Sequence, residues 1–246
     1  IAQDVTEYGR DICGELRLPM LLRRLCRVEG IRWIRLMYCY EDKITEELIR
    51  TMAEEEKICN YIDIPLQHIS DSVLKAMRRR STESSIRNTI DALRRAIPDI
   101  HIRTTFITGF PGETEEDFDK LAAFAEETEF ERLGVFAYSR EEGTPAGDME
   151  CQIDEDTKAE RADSIMRRQV DISRRNNMKK IGEVFEVIVD GMDEEGAYLG
   201  RTVYDAPEID NTVIFSGDDD RVYKPGDMVK VRITDAFDYD LTGTVC

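Results

Sequence analysis

The sequence predicts an α/β fold: a partial (β/α) barrel with parallel strands, followed by a small all-β barrel. In the first two thirds of the 246 residues, short apolar runs alternate with stretches of helical apolar spacing, which is typical of a parallel sheet with helical crossovers. From Gly182 onward the apolar residues alternate with a period of two, as in antiparallel strands. We place the first domain at 1–153, a connecting helix at 154–181 and the β-barrel domain at 182–246.

Five strands are predicted in the first domain, and each leads into a helix. The carboxyl ends of such strands are where parallel sheets gather their chemistry. The predicted strands are Ile1–Ala2, Trp33–Tyr38, Tyr61–Leu66, Ile102–Ile107 and Arg132–Tyr138. The helices between them cover 44–58, 73–77, 86–97 and 118–124.

A long charged helix is expected over 154–181, with an apolar stripe that includes Ile165, Met166 and Val170. Turn residues such as Pro225-Gly226-Asp227 then separate five short strands, as in a five-stranded barrel of the oligonucleotide-binding type. These predicted strands are 184–189, 197–199, 212–215, 228–233 and 241–245.

The charge of the chain disfavours a nucleic-acid partner. The net charge is −18, from 34 basic and 52 acidic residues, so the chain has no long-range attraction for phosphate. Residues 181–246 hold sixteen acidic and five basic residues, a net charge of −11, where a nucleic-acid-binding barrel should carry a basic face. A basic protein partner suits this charge better, although on composition alone the acidic residues do no more than keep the chain in solution.

The apolar runs, the start of the chain and the cysteines indicate where the protein is located and whether it binds a metal. No apolar run approaches the length that spans a bilayer, so we expect a cytoplasmic protein without membrane contact. The chain begins without Met, as if inside a strand, so we expect a piece of a longer protein. The six cysteines form no Cys-x-x-Cys pair and no zinc pattern, so they predict reduced thiols and no metal site in this chain.

Residues 105–118 form the most informative motif. A buried strand ends at Gly109, a Gly-Phe-Pro-Gly turn follows, and Thr114 caps a helix with an acidic first turn. The glycines let backbone approach a flat ligand such as adenine. A phosphate cradle is disfavoured because the helix start is acidic. On spacing alone, a plain strand-to-helix turn accounts for the motif.

Polar residues also mark two other strand positions. Gln67 and His68 follow a predicted strand, although a lone His is as often structural as functional. Arg103 lies inside a strand of Thr and Ile, where its charge must meet an anion or face solvent, and a ligand carboxylate is a fair partner. We interpret these groups as cofactor-positioning residues, and no catalytic residue is assigned.

Taken together, these residues resemble the methylthiotransferase branch of the radical S-adenosylmethionine enzymes. The resemblance covers nearly all of 1–150 in the order of the family, and 182–246 resemble its TRAM barrel. The matching stretches are 1–11, 33–38, 64–68 (Ile-Pro-Leu-Gln-His), 73–79 and 103–114.

The resemblance extends to one subgroup of this branch. Gly200-Arg201-Thr202 followed by 205–210 looks like the subgroup that modifies an aspartate of small-subunit ribosomal protein S12. It implies a basic ribosomal protein partner, and Asp205, Glu208 and Asp210 as substrate-binding residues. The acidic barrel agrees, since an acidic face attracts basic proteins and repels RNA.

The resemblance also implies the cofactors, S-adenosylmethionine and two [4Fe–4S] clusters, and an external electron donor. The cluster ligands, a Cys-x-x-x-Cys-x-x-Cys motif and a separate amino-terminal domain, do not occur in this sequence, so the chain is expected to be inactive alone. The implied chemistry is reductive cleavage of S-adenosylmethionine, hydrogen abstraction and methylthio transfer.

The resemblance implies places for the cofactor-binding residues. Gln67, His68 and Arg103 are expected near the methionine and ribose end, and Thr105, Ile107 and Gly109 near adenine. Phe136 and Tyr138 are expected at the rim of the last strand.

Three other functions stay open at this point. A transfer RNA methylthiotransferase is the nearest, and the acidic barrel argues against it. A non-catalytic module that docks on the ribosome is compatible with every residue present. An ordinary metabolic barrel enzyme is disfavoured because no phosphate site and no acid–base pair can be identified.

Overall fold

The computed structural model describes residues 3–218 and 221–246. The chain divides into two compact units, Ile1–Gln169 and Val170–Cys246, and the division falls inside a long helix. Within the described residues, no helix is both long and apolar enough to cross a membrane.

The first unit contains one sheet of four parallel strands in the order β1-β2-β3-β4. Helices lie between successive strands, which confirms the predicted α/β class; the predicted strand Ile1–Ala2 lies outside the described residues. The second strand ends three residues before its predicted end, because Pro65 has no N–H to continue the ladder. The strands are β1 (Ile34–Leu36), β2 (Ile58–Asp63), β3 (His101–Thr108) and β4 (Arg132–Ala137).

Strand β3 has two different faces. Ile102, Thr104, Phe106 and Thr108 are buried, and the residues between them are half-buried. Because side chains alternate across a strand, the buried set packs beneath the helices. The set that contains Thr105 therefore faces the interior of the partial barrel.

The helices of the first unit begin at polar caps. Thr82 and Thr114 each accept a hydrogen bond from the backbone three residues later, and Ser85 and Asp117 return a bond to the cap, so α5 and α6 both start with a capping box. No bounds were predicted for α1 and α2. The helices are α1 (Arg10–Cys13), α2 (Leu18–Cys26), α3 (Glu46–Glu54), α4 (Asp71–Ala76), α5 (Glu83–Ala96) and α6 (Glu115–Thr128), followed by α7 (Glu155–Met178), whose last nine residues lie in the other unit.

Three phenylalanines hold β3 against α6. The ring of Phe106 lies 6.1 Å from that of Phe124 and 5.8 Å from that of Phe130, and all three side chains are buried. Such contacts add to the free energy gained from burying the rings. They fix the carboxyl end of β3, where the predicted site lies.

The second unit contains a closed barrel with the strand order β5-β6-β7-β9-β8. All five predicted strands are present, and β7 and β9 pair in parallel while the other pairs are antiparallel. Its core includes Val187, Phe215 and Val231. The strands are β5 (Val184–Met192), β6 (Tyr198–Thr202), β7 (Val213–Ser216), β8 (Met228–Ala236) and β9 (Leu241–Val245).

Replacing Phe106 by Ala is expected to lower the free energy of unfolding of the first unit by about 3–5 kcal/mol, because the change leaves a cavity among buried rings. Phe136→Ala is the matched control, since the Phe136 side chain is 63% exposed, and it should cost less than about 0.5 kcal/mol. Urea unfolding followed by the fluorescence of Trp33, the single tryptophan, measures both. Equal losses would contradict this assignment of the core.

Candidate functional site

A cavity of about 550 Å³ opens beside the carboxyl ends of β3 and β4. Its size falls in the range of pockets that hold small molecules and cofactors. Gln67, Ile107, Phe110 and Tyr138 contribute to its walls, and three of them, Gln67, Ile107 and Tyr138, are among the residues expected to bind a cofactor. The other lining residues are Tyr40, 76–79, 144–146 and Met149.

Gln67 is held at the cavity by its own backbone. Its N–H donates to the carbonyl of Thr105 and its carbonyl accepts from Ile107, both at 2.8 Å. Its φ is +71°, in the left-handed region that costs a non-glycine residue on the order of 1 kcal/mol. The bonds to β3 offset this strain, and they fix a side-chain amide at the cavity wall.

Tyr138 brings a buried hydroxyl to the same cavity. Its ring packs edge-on against Phe110 at 5.2 Å, and the ammonium of Lys158 lies 5.2 Å from the ring centroid. Its Oη is buried and has no hydrogen-bond partner among the described residues. Leaving a buried hydroxyl unsatisfied costs about 1–3 kcal/mol, so this atom suits a polar group of a bound molecule.

The turn after β3 rests on the buried carboxylate of Glu113. Its Oε2 accepts a hydrogen bond from the backbone N–H of Gly109 at 3.0 Å, and its Oε1 accepts one from Arg161 on α7 at 2.7 Å. Arg161 also binds Glu115 at 2.8 Å, and these two carboxylates raise the pKa of its guanidinium against the opposing effect of burial. The network fixes the turn that forms one side of the cavity.

Gly109 itself has no room for a side chain. Its φ is +71°, and a Cβ at this position would lie 2.2 Å from the Cγ of Lys158. The glycine that the sequence suggested for ligand approach is therefore also required by the packing of α7 against the turn.

His68 lies behind the cavity wall and is fully buried. Its Nδ1 accepts from the N–H of Ser70 at 3.0 Å, which assigns the ring proton of the neutral form to Nε2. Nε2 lies 3.3 Å from Oε2 of Glu113, close but poorly aligned for a hydrogen bond. His68 thus contacts the carboxylate that supports the turn.

Arg103 lies deeper in the partial barrel than the cavity. Its guanidinium binds Asp63 Oδ1 at 2.8 Å, and the other oxygen of this buried carboxylate accepts from the N–H of Tyr38 at 2.9 Å. Arg103 lies four positions before Ile107, which is about 13 Å along a strand. Arg103 therefore joins β2, β3 and the segment after β1 below the cavity.

The remaining predicted cofactor residues lie around this site without lining the cavity. Thr105 is half-buried on β3 between Arg103 and Ile107. Phe136 pairs with Ile107 across the sheet and is exposed at the rim.

Asp117 joins the start of α6 to the loop after β2. Its carboxylate accepts from the hydroxyls of Ser70 and Ser72 and from the N–H and hydroxyl of Thr114. Burial raises the pKa of Asp117, but the hydrogen bonds from Ser70 and Thr114 outweigh that effect and lower it to about 2. The ionised carboxylate thus fixes both loops behind the cavity.

The predicted substrate-binding residues of the barrel differ in exposure. Asp205 is buried, and its carboxylate accepts from the hydroxyl of Thr202 at 2.6 Å. Asp210 accepts from the N–H of Ala206 at 2.8 Å. Glu208, at φ +68°, is exposed to solvent. Two of these three carboxylates thus have a bond within their own loop.

The comparisons with known proteins define a class. The family model of the radical SAM superfamily matches residues 13–125, and that of the TRAM domain matches residues 181–246. The chain is thus a radical SAM protein with a carboxyl-terminal TRAM domain.

The curated proteins that are most informative about this chain all carry one name. Each is a ribosomal protein uS12 methylthiotransferase RimO: that of Alkaliphilus oremlandii is 51% identical over 99% of this chain and 56% of its own length, and that of Desulforamulus reducens is 51% identical over 99% and 55%. The protein from Geobacter sulfurreducens is 50% identical over 100% of this chain and 55% of its own. The chain is thus about half identical to RimO proteins along its whole length, and it spans little more than half the length of these relatives.

Membership in the radical SAM superfamily implies S-adenosylmethionine and a [4Fe–4S] cluster. The cavity fits the first, since Ile107 and Phe110 offer an apolar wall for adenine while Gln67 and Tyr138 offer polar partners. No group of three or more His, Cys, Asp or Glu residues in 3–218 and 221–246 is arranged to hold a metal ion.

The chain should lose stability at acid pH through Asp117. Its folded pKa of about 2 lies below the unfolded value of 3.8, so the contribution is complete above about pH 5 and is lost as the pH falls through the folded pKa. Asp117→Asn should cost on the order of 1 kcal/mol at pH 6, and roughly half of this difference should remain at pH 3. Urea unfolding at both pH values tests this. The exposed Asp119→Asn is the control, and a pH-independent loss for Asp117→Asn would reject the explanation.

Tyr138→Phe tests the fit of the cavity. If a ligand satisfies the buried hydroxyl, the variant should bind S-adenosylhomocysteine about three- to tenfold more weakly than the unmodified chain, because one hydrogen bond is lost. Isothermal titration measures this, with Tyr8→Phe, which lies outside the cavity lining, as the control. Unchanged affinity together with a higher melting temperature would show instead that the hydroxyl meets no ligand.

Proposed function

We propose that this chain is the cofactor-seating and substrate-docking part of a methylthiotransferase that adds a methylthio group to the β-carbon of an aspartate in ribosomal protein S12. The observation that carries the proposal is the identity of about half of the residues to RimO proteins over the whole chain, through both the first unit and the barrel. A cytoplasmic location, where ribosomes are modified, follows from this activity.

When bound, S-adenosylmethionine and two [4Fe–4S] clusters supply the radical chemistry and the transferred sulfur. The described residues bind the cofactor and shield it from water. Gln67 and Tyr138 orient the cofactor by hydrogen bonds, and Ile107 and Phe110 exclude water from it, which a radical reaction requires. The reductive cleavage of S-adenosylmethionine also requires an external electron donor.

The other predicted residues have places around the proposed site. Thr105 and Gly109 border the adenine side, and Phe136 closes the rim. His68 and Arg103 serve as positioning residues, because each contacts a buried carboxylate that holds a neighbouring loop.

A basic protein substrate agrees with the charge of the barrel. Residues 181–246 carry a net charge of −11, which opposes binding to the phosphates of RNA and favours a basic protein. This charge disfavours a transfer RNA methylthiotransferase. A ribosome-docking module without catalysis fits the charge equally well, but that function would not explain the cavity beside β3 and β4.

A chimera tests this function. The chain is joined to the amino-terminal part of the Geobacter sulfurreducens relative that it does not match, and the product is expressed in a strain that lacks this relative. We expect mass spectrometry to find one methylthio group on ribosomal protein S12, and a chimera with Gln67→Ala to reduce the modified fraction.

Two other outcomes of this experiment would contradict the proposal. Methylthio groups on transfer RNA with none on S12 would establish the transfer RNA enzyme. A folded, cluster-loaded chimera that modifies neither substrate but binds ribosomes would establish the docking module.

A further inference from the structure

The barrel unit displays large apolar side chains in two of its loops. Ile209 is 50% exposed in the loop between β6 and β7, and Phe237 and Tyr239 are 54% and 42% exposed in the loop between β8 and β9. We call these three residues the barrel patch. Exposed aromatic side chains in neighbouring loops are typical of a surface that binds a partner.

The two loops of the barrel patch are tied to each other. The side chain of Asn211 donates to the carbonyl of Tyr239, and the N–H of Thr212 donates to the carboxylate of Asp240 at 2.8 Å. The loop that carries Ile209 therefore lies beside the loop that carries the aromatic residues.

The end of α7 fixes the aromatic loop further. Asn177, fully buried, donates to the carbonyls of Phe237 at 3.2 Å and Tyr239 at 2.9 Å. The Phe237 N–H donates to the Asp240 carbonyl at 2.8 Å, which closes the loop. The backbone is thus held while the two rings remain exposed. The loop therefore loses little conformational entropy when a partner binds the rings.

Acidic side chains surround the barrel patch. Glu208 and Asp238 are exposed in the same two loops, and Asp235 is exposed near the end of β8. One basic group, Arg174, lies beside them: its guanidinium is 3.8 Å from Asp238 and is largely exposed. The rings and carboxylates together form a surface that attracts cations, because aromatic faces and carboxylates both bind Lys and Arg side chains.

We propose that the barrel patch binds a lysine- and arginine-rich segment of a partner protein, with Phe237 and Tyr239 as the anchoring residues. The proposal deepens the proposed function and rests on it for the identity of the partner as a protein substrate. The charge complementarity also selects against other occupants. A second copy would bring two acidic surfaces together, and RNA would bring phosphates against carboxylates.

A binding experiment with the full chain tests the proposal without cofactor or cluster. Fluorescence anisotropy measures the affinity of a labelled peptide rich in lysine and arginine, with an acidic peptide of equal length and a single-stranded RNA as comparison ligands. The variants are Phe237→Ala/Tyr239→Ala, Asp235→Asn/Asp238→Asn and the control Met192→Ala, whose side chain is similarly exposed on β5. Melting temperatures confirm that each variant folds.

We expect the basic peptide to bind and the aromatic variant to weaken its affinity at least about tenfold, as for central residues of an interface. The aspartate variant should weaken binding by a few fold, and more at low salt than at high salt. Met192→Ala should leave the affinity unchanged.

Other results would overturn the proposal. Equal affinity of the aromatic variant and the control would show that charge alone attracts the peptide. RNA binding that depends on Phe237 and Tyr239 would make the patch a nucleic-acid surface and would also count against the proposed function. A dimer of the chain that the aromatic variant disrupts would show that a second copy covers the patch, and would leave the proposed function intact.

Discussion

The buried carboxylate of Glu113 is the constraint on which the candidate site depends. It lies below the turn after β3 and holds the backbone of Gly109, while Arg161 compensates its charge from α7. Removing one partner of a buried ion pair costs far more than the pair contributes, so these groups form a unit. The position of the turn, and with it one side of the cavity, is set by a residue that does not line the cavity.

A second buried ion pair supports the sheet beneath. Asp63 and Arg103 face each other across β2 and β3, and Asp63 also holds the segment after β1. The partial barrel thus has an ion pair in its interior and hydrogen-bonded loops at its rim. Both features make the strand ends rigid, which a site that must orient a cofactor requires.

The sequence was sufficient for the fold class and for part of the site. Period-two alternation in β3 and the Gly-Phe-Pro-Gly turn have local causes, so they could be predicted, and the carboxyl ends of parallel strands had to bring Gln67, Ile107 and Tyr138 together. Glu113 and Arg161 stand 48 residues apart, and no local pattern connects them. The segment 144–149 carries no periodicity, so the place of 144–146 and Met149 in the cavity wall could not be foreseen.

The contact between Gly109 and Lys158 links two positions far apart in the sequence. Any other residue at 109 would be strained by the positive φ, and its Cβ would clash with the side chain of Lys158. Shortening Lys158 would relieve only the clash. In homologous chains Gly109 should therefore vary less than Lys158, whose ammonium also lies 5.2 Å from the ring centroid of Tyr138.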